Sequence, residues 1–299
     1  MITAQELKAY VEANPKRVRA RESTRYPGLF VIKYQNCVFF KGSWDSTLIE
    51  CRGLVVDADF NPVIKPLTKI FNRHEQNTDI HRDTPTLAIR KVNGFMAAAT
   101  RVPEQGVVVS TTGSLDSTFA DLARSYVTAQ VESVIGEGWT YLFEIVDPSD
   151  PHIIPEEPGA YLIGARQISD DADYYSTPAH EMFLDTMAEA MGVKRPEWFV
   201  TRFSNIAEQA RTCRSEGFVC YGDGTALKIK SPFYLVSKLF ARMNSDKLTK
   251  SLQDPGSLKQ RLDEEFCPLI EHLTEHQTEF AAMTEQDRLV FVRDYFEKG

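Results

Sequence analysis

Two short runs of this sequence place a charged side chain among apolar, strand-like residues. Lys91 ends the run "LAIRK", directly before "VNG", and Glu144 lies within "YLFEIV". Burying a carboxylate or an ammonium without a partner is costly, so each of these groups needs an opposite charge, a hydrogen-bond donor or a bound ligand. Both positions are therefore candidates for a functional site.

A third run, "ALKIK", places two lysines on one face of a predicted strand. Side chains alternate along a strand, so Lys228 and Lys230 share one face while Leu227 and Ile229 share the other. Two adjacent like charges repel each other, and a shared anion such as phosphate removes that repulsion. A solvated strand face explains the same pattern, and the sequence alone leaves both interpretations open.

Residues 29–166 are dominated by runs that are typical of short β-strands. The strand-like runs are "LFVIKY", "CVFF", "GLVVD", "LAIRK", "GVVVST", "WTYLFEIV" and "AYLIGARQI", and two further strands are predicted in "EGFVCYGDGTALKIK". Helical spacing predicts one helix from about Leu115 to Ile135, after the "TTGS" turn. A second helix is predicted between Thr177, as its N-cap, and Gly192, as its terminator.

The pattern changes after Pro232, where the sequence predicts amphipathic helices. Phe266, Leu269 and Leu273 lie on one face of such a helix. We therefore predict two domains, residues 1–232 and a small helical domain of residues 233–299.

Composition limits the classes of function. Of 299 residues, 42% are apolar and 25% are charged, which is typical of a globular protein. The net charge of −8 argues against general adhesion to nucleic acid, so any polyanion must meet a local cluster of Lys and Arg. Five cysteines without C-x-x-C spacing favour reduced thiols and a cytoplasmic location. No apolar segment reaches the ~20 residues of a membrane span, and Thr3 with Glu6 predicts a helix capping box rather than a targeting peptide.

Taken together and in order, the motifs resemble one family. The segments "KVNG", "YLFEIV", "EGFV" and "LKIK" resemble motifs I, III, IV and V of the covalent nucleotidyltransferases. The flanks "ECRG", "LTKIFN", "TTGS" and "SPFY" narrow the resemblance to the bacteriophage RNA ligase 1 family, over about residues 30–234. The implied fold is α+β: a nucleotidyltransferase (ATP-grasp-like ligase) domain of antiparallel sheets with flanking helices, followed by a small all-helical domain.

The resemblance implies that Lys91 is the nucleophile that becomes a lysyl-adenylate. A lysine has a pKa of about 10.4, so attack on the α-phosphate of ATP requires a lower pKa, which burial or neighbouring cations provide. Lys228 and Lys230 would supply such cations and would also neutralise charge on the phosphate. The implied metal is Mg²⁺ or Mn²⁺, organised by Glu216 through water, and its direct ligands stay unknown.

Further roles follow from the resemblance, position by position. Glu144 is implied to contact the ribose hydroxyls, and Tyr234 to act in ligation. The other implied nucleotide-binding residues are Tyr34, Arg52, Lys69, Phe71 and Val219. Asn93 departs from the family pattern, because many ligases have Asp there. Its amide keeps the shape but loses the charge, so another group must take any acid–base role at that position.

The function implied by the resemblance is that of an ATP-dependent RNA ligase in RNA repair, acting on 5′-phosphate and 3′-hydroxyl ends. Its implied partner is a separate kinase-phosphatase that heals RNA ends, and its location is the cytoplasm, that of the host cell if the protein is viral. Alternatives are a DNA ligase or a GTP-using capping enzyme, which normally carry an OB-fold after motif V, and an inactive RNA-binding protein. Basic residues of the tail are predicted either to meet RNA phosphates or to be solvated: Lys238, Arg242, Lys247 and Lys250.

Overall fold

The computed structural model of the chain describes residues 3–170 and 172–298, and these form two compact units. The first unit comprises residues up to 70, 92–152 and 156–199. The second comprises residues 71–91, 153–155 and those from 200 onward. Units of this kind are defined by packing and not by independent folding, so the domain boundary at residue 232 stays a prediction.

The first unit contains two antiparallel four-stranded sheets, with strand orders β1-β2-β3-β4 and β10-β9-β7-β8. The strands of the first sheet are β1 (Val18–Glu22), β2 (Phe30–Tyr34), β3 (Arg52–Val56) and β4 (Pro62–Ile64). Those of the second are β7 (Phe95–Val102), β8 (Gly106–Thr111), β9 (Trp139–Val146) and β10 (Gly159–Gln167). Val31 and Val55 of the first sheet share a buried cluster with Ala98 and Leu142 of the second, so the two sheets pack face to face.

Five helices flank these sheets. They are α1 (Ala4–Ala13), α2 (Asn36–Phe40), α3 (Thr118–Ser125), α4 (Ala129–Val134) and α5 (Pro178–Met191). The capping box of Thr3 and Glu6 is confirmed, because each side chain bonds to the backbone N–H of the other residue. Thr177 caps α5 and Gly192 ends it in the left-handed conformation, as predicted.

Two predictions of secondary structure in the first unit are wrong. The run "CVFF" belongs to helix α2, since a four-residue apolar run fits one helical turn as well as a strand. The long helix predicted from Leu115 to Ile135 is two helices, because Thr128 begins α4 by accepting a hydrogen bond from the backbone N–H of Val131. A buried strand, β7, was not among the predicted runs although it follows "VNG" directly.

The second unit holds a five-stranded sheet of order β11-β6-β12-β13-β5. Its strands are β5 (Phe71–Asn72), β6 (Pro85–Arg90), β11 (Trp198–Arg202, of which residues from 200 lie in this unit), β12 (Gly217–Gly222) and β13 (Thr225–Lys230). The pairs β6–β12 and β12–β13 are antiparallel, whereas β13 and β5 are parallel.

Helices complete the second unit. They are α6 (Phe203–Thr212), α7 (Pro232–Arg242), α8 (Ser245–Ser251), α9 (Pro255–Arg261), α10 (Cys267–Glu275), α11 (Gln277–Ala282) and α12 (Glu285–Lys298), with 3-10 helices at Glu75–Asn77 and Glu264–Phe266. The helices from α7 onward share a core that includes Tyr234, Leu239, Phe266 and Val292. The predicted α+β class with antiparallel sheets is confirmed, and the tail is helical as predicted.

Within the described residues, no helix combines the length and the apolar character needed to cross a membrane.

Candidate active site

Three of the predicted site lysines lie on one face of the sheet in the second unit. In the pairing of β12 with β13, Gly217 is opposite Lys230 and Val219 is opposite Lys228. The backbone N–H of Lys91 donates to the carbonyl of Gly217 at 2.9 Å, so Lys91 continues the β6–β12 pairing by one residue. Directly opposite residues project to the same face, so the sheet register brings all three ammonium groups to the side of Val219.

Gly217 occupies a position that only glycine suits. Its φ is +127°, and a Cβ built there would lie 2.1 Å from the carbonyl oxygen of Ile229. Because Gly217 lies between Lys91 and Lys230 in the register, no side chain separates those two lysines on β12.

A carboxylate joins the same two lysines. The Nζ of Lys91 is 3.1 Å from Oε2 of Glu216, and the Nζ of Lys230 is 3.6 Å from Oε1. The side chain of Glu216 is 3% exposed, whereas that of Lys91 is 23% exposed. Lys91, the predicted nucleophile, is therefore more exposed than Glu216 or than Lys230, whose side chain is 9% exposed.

The ion pairs continue into the helical tail. Glu265 accepts hydrogen bonds from Lys230 at 2.6 Å and from Lys238 at 2.8 Å. Asp263 pairs with Lys238 at 2.5 Å and with Arg242 at 3.1 Å. Lys238 and Arg242 are thus paired with carboxylates of their own chain, and their predicted contact with RNA stays a prediction. Burial alone would lower the pKa of Lys238, but Glu265 and Asp263 raise it above its usual value.

Tyr234 lies in the first turn of α7, directly beside this network. The hydroxyl of Ser231 caps the helix by accepting a hydrogen bond from the backbone N–H of Tyr234, and Pro232 suits the first helical position. The ring of Tyr234 has the ammonium groups of Lys230 and Lys238 5.3 Å from its centre. Burial, and then the charge of Glu216, raises the pKa of Tyr234 above its usual value, so its hydroxyl stays protonated at neutral pH.

The two lysines that flank Glu265 make the tail sensitive to acid. Burial would raise the pKa of Glu265, but Lys230 and Lys238 overcome it and lower the pKa from 4.5 to about 2. The folded state therefore binds this proton less well than the unfolded state. The resulting stability is present above pH 4.5 and is lost as the pH falls towards 2, and it is on the order of 3 kcal/mol.

We therefore expect Glu265→Gln to lower the free energy of unfolding at pH 6 and to lower it much less at pH 3. Urea unfolding of both proteins at each pH measures this gap. Glu285→Gln, which changes an exposed carboxylate in α12, is the matched control. Its free energy of unfolding should differ from that of the native protein by the same small amount at both pH values. If Glu265→Gln lowered the free energy of unfolding equally at pH 6 and pH 3, this would contradict the lowered pKa of Glu265.

Phe71 and Val219, the two apolar residues predicted to contact the nucleotide, are both half-buried in the second unit. Val219 lies opposite Lys228 on β12, and Phe71 lies on β5, opposite Leu227 of the lysine-bearing strand. The sheet therefore places Val219 on the lysine face and Phe71 on the neighbouring edge strand.

Glu144 and Gly94 contact each other in the first unit. Glu144 is 8% exposed, and its Oε1 accepts the backbone N–H of Gly94 at 3.1 Å. A Cβ on Gly94 would lie 2.3 Å from the carbonyl oxygen of Ile145. The glycine of "KVNG" is therefore required by close packing on β9, and its backbone amide is one hydrogen-bond donor to the carboxylate of Glu144.

Gly94→Ala should lower the free energy of unfolding by about 1–3 kcal/mol, because the added methyl group meets backbone that cannot move aside cheaply. The matched control is Gly136→Ala in the same unit, where the nearest atom is 3.9 Å from the added Cβ. Chemical denaturation of the two variants tests this expectation. Equal stability of the two variants would contradict the close packing of Gly94 against the carbonyl group of Ile145.

Arg52, Lys69 and Tyr34 belong to the first unit, where a tryptophan joins two of them. The Nζ of Lys69 lies 4.6 Å from the ring centre of Trp44, and the Tyr34 ring meets Trp44 edge-on at 4.8 Å. Arg52 begins β3 and is half-buried. Sequence reasoning missed Trp44; the signal available was a lone tryptophan within the polar run "GSWDS".

Two groups of residues are relevant to metal binding. Glu216 is the carboxylate among the predicted site residues of the second unit, and its oxygens already face ammonium groups. His272, Glu275 and His276 at the end of α10 have ligand atoms within 4.8 Å of one another. His272 stacks on Tyr295, however, and a ring nitrogen of His276 bonds to the carbonyl of His272, so this cluster serves helix packing.

Comparison with solved structures shows the fold. An archaeal ATP-dependent RNA ligase, form 2, matches with a TM-score of 0.57 at 12% identity, over 100% of this chain and 79% of that chain. Form 1 of an archaeal ATP-dependent RNA ligase matches with a TM-score of 0.56 at 13% identity and the same coverage. A structure from Aquifex aeolicus, provisionally assigned as an ATP-dependent DNA ligase, matches with a TM-score of 0.55 at 12% identity, over 98% and 77%. The chain therefore has the fold of nucleotidyltransferase-type ligases.

Comparison with protein families separates the types of ligase. No curated protein matches the sequence significantly. A family model described as RNA ligase matches residues 50–239, a range that contains ten of the eleven predicted site residues and leaves out only Tyr34. This match spans more than half of the chain, so the chain belongs to the RNA ligase family.

Proposed function

We propose that the protein is an ATP-dependent RNA ligase that works through a lysyl-adenylate on Lys91. The observation that carries the proposal is the arrangement of Lys91, Lys228 and Lys230 on one sheet face, with Glu216 between two of them. A partly exposed amine beside fixed cations suits attack on a phosphate, because those cations stabilise the negative charge of the transition state.

In the first step, Nζ of Lys91 attacks the α-phosphorus of ATP. A P–N bond forms, the bond to the bridging oxygen breaks, and pyrophosphate leaves. The amine must first lose a proton, and Glu216 accepts a hydrogen bond from this amine at 3.1 Å. We propose that Glu216 takes this proton and so serves in place of an acidic residue at position 93.

In the second step, the 5′-phosphate of RNA attacks the adenylate, and Lys91 leaves as the free amine. In the third, the RNA 3′-hydroxyl attacks the activated 5′-phosphate, forms the phosphodiester bond and expels AMP. Lys91 is needed only for the first two steps. Tyr234, which is held beside Lys230 by the start of α7, is proposed to act in ligation, with its protonated hydroxyl as a hydrogen-bond donor.

Mg²⁺ or Mn²⁺ is the proposed metal, and the donor set fits it. Mg²⁺ keeps several waters and is usually held by one or two carboxylates together with substrate phosphates. Glu216 is such a carboxylate among phosphate-binding lysines. Both of its oxygens lie within 3.6 Å of an ammonium group, which favours contact with the metal through water. When bound, the ion neutralises phosphate charge.

The remaining roles are proposed residue by residue. The carboxylate of Glu144 accepts hydrogen bonds from the ribose hydroxyls, and Arg52 and Lys69 contact phosphate oxygens. Tyr34, Phe71 and Val219 provide the aromatic and apolar contacts of the nucleotide. RNA repair and a separate end-healing kinase-phosphatase complete the proposal, because a ligase of this mechanism requires 5′-phosphate and 3′-hydroxyl ends.

The test is the intact mass of the protein after incubation with each ribonucleoside triphosphate and Mg²⁺, followed by peptide mapping of the modified residue. We expect an adenylate adduct on Lys91 alone. Sealing of matched RNA and DNA substrates then identifies the nucleic acid. A guanylate adduct would indicate a capping enzyme, preferential sealing of DNA would indicate a DNA ligase, and no adduct with any nucleotide would indicate an inactive RNA-binding protein.

A further inference from the structure

Four cations of the first unit have no role in the steps above. Arg19 and Arg21 lie on β1, Lys33 lies on β2, and Lys16 precedes β1. Arg19 is directly opposite Lys33 in the β1–β2 register, and Arg21 is opposite Val31. Directly opposite residues project to the same face, so three of the cations share one face of the sheet. All four side chains are exposed.

This arrangement is unfavourable for the sheet itself. Like charges directly opposite each other on paired strands destabilise the pairing. Within the described part of the chain, none of the four cations has an acidic partner within 4 Å. Asp116 lies near enough to Arg21 for that charge to favour the ionised carboxylate, but the oxygens of Asp116 accept hydrogen bonds from Ser23, Thr24 and Arg25. A positive cluster in a chain of net charge −8 is best explained by an anionic ligand.

The four cations line an open cavity of about 590 Å³. Tyr34 and Gly113 line it as well. A Cβ on Gly113 would lie 3.2 Å from the Nζ of Lys33, so the glycine of "TTGS" leaves room for that ammonium group. The cavity thus gathers several cations, three of them on one face of the β1–β2 pair.

We propose that this cavity, the cation groove (Lys16, Arg19, Arg21 and Lys33), binds the phosphodiester backbone of single-stranded RNA. Cations on one sheet face repeat about every 7 Å along a strand and about every 5 Å across strands, which gives a line of charge for a polyanion to follow. A positively charged groove that follows the backbone in this way is the electrostatic part of single-strand binding sites. The inference rests on the proposed function, because it takes RNA as the substrate.

A cluster of cations would also suit the phosphates of ATP, so the test distinguishes binding of RNA from binding of ATP. The variant is Arg19→Gln/Arg21→Gln. The matched control is Arg211→Gln/Lys298→Gln, which removes two exposed charges in the second unit. Binding of a fluorescent, 5′-phosphorylated RNA oligonucleotide is measured in EDTA without ATP, over a series of salt concentrations. Adenylation of each protein is measured separately as a function of ATP concentration.

We expect the groove variant to bind RNA about tenfold more weakly. Its salt slope should fall by about 1.4, since each phosphate contact on a single strand contributes about 0.7. Its KM for ATP should equal that of the native protein, and its melting temperature should not fall, because a repulsion has been removed. The control should keep the native RNA affinity and salt slope.

Native RNA affinity and salt slope in the groove variant would overturn the inference. So would a raised KM for ATP, which would assign the groove to the nucleotide, and so would a fall in melting temperature, which would give the cations a structural role. As a second measurement, bound RNA should slow alkylation of Cys37, which lines the groove; unchanged alkylation at saturating RNA would also overturn it. Because binding is measured without ATP, failure of adenylation contradicts only the proposed catalytic mechanism.

Discussion

The Lys91→Ala protein should form no covalent adduct with ATP and should not seal 5′-phosphorylated RNA, with a loss of about 10⁴-fold or more in each reaction. One amine carries both steps, so both disappear together. The same variant should still seal RNA that is supplied already adenylated at its 5′ end, because the third step does not use Lys91. Adduct formation is measured by intact mass and sealing by gel electrophoresis of labelled RNA.

The variant should remain folded, because Glu216 keeps Lys230 as a partner when Lys91 is removed. Lys41→Ala removes an exposed lysine and is the matched control, with native activity in every assay. A Lys91→Ala protein that still acquired AMP would place the nucleophile elsewhere. Loss of sealing on pre-adenylated RNA, together with an intact fold, would give Lys91 a role in the third step as well.

The second large effect concerns the paired lysines of β13. Lys228→Ala and Lys230→Ala should each slow adenylation by about 10²–10³, the typical cost of losing one donor to a developing phosphate charge. If both contact one phosphate, the double variant should be no slower than either single variant, as in groups that act as a unit. Single-turnover adenylation of the four proteins gives the double-mutant cycle. Near-native rates in both single variants would favour a solvated strand face.

The structure adds a difference between the two lysines. Lys230 is 9% exposed and is already paired with Glu216 and Glu265, so Lys230→Ala should also lower the free energy of unfolding, by roughly 1–3 kcal/mol. Each carboxylate keeps another lysine, which limits the loss. Urea unfolding separates this effect from catalysis, and Glu265→Gln, which keeps Lys230, indicates how much of the rate depends on the ion pairs alone.

The fold could be predicted from the sequence where local chemistry is strong. Runs such as "WTYLFEIV" and caps such as Thr177 and Gly192 carry their own signals, and the structure has them as expected. The prediction failed where tertiary contacts decide. The alanine-rich "FMAAATRV" is a central strand despite a composition that disfavours strands, because β8 and β9 pair with it on both sides.

The candidate site was predictable only in part, because charge signals name no partner. The sequence marks Lys91, Glu144 and Lys230 as groups that need a partner. It does not show that Glu216, 125 positions from Lys91, is that partner, or that Glu265 is a second one for Lys230. Trp44 was missed for the same reason, since its contacts with Tyr34 and Lys69 depend on how the chain folds.

The ion pairs between β13 and the tail bear on how members of this family can be recombined. A chimera that joins residues up to Ser231 to the C-terminal segment of a relative exchanges Asp263 and Glu265, and with them the counter-charge of Lys230. Unless the incoming segment brings an acidic residue to the position of Glu265, Lys230 keeps only Glu216 in a nearly water-free setting, and Glu216 must then balance two lysines. The junction after "LKIK" is therefore a poor place to exchange segments, although it is where the sequence pattern changes most.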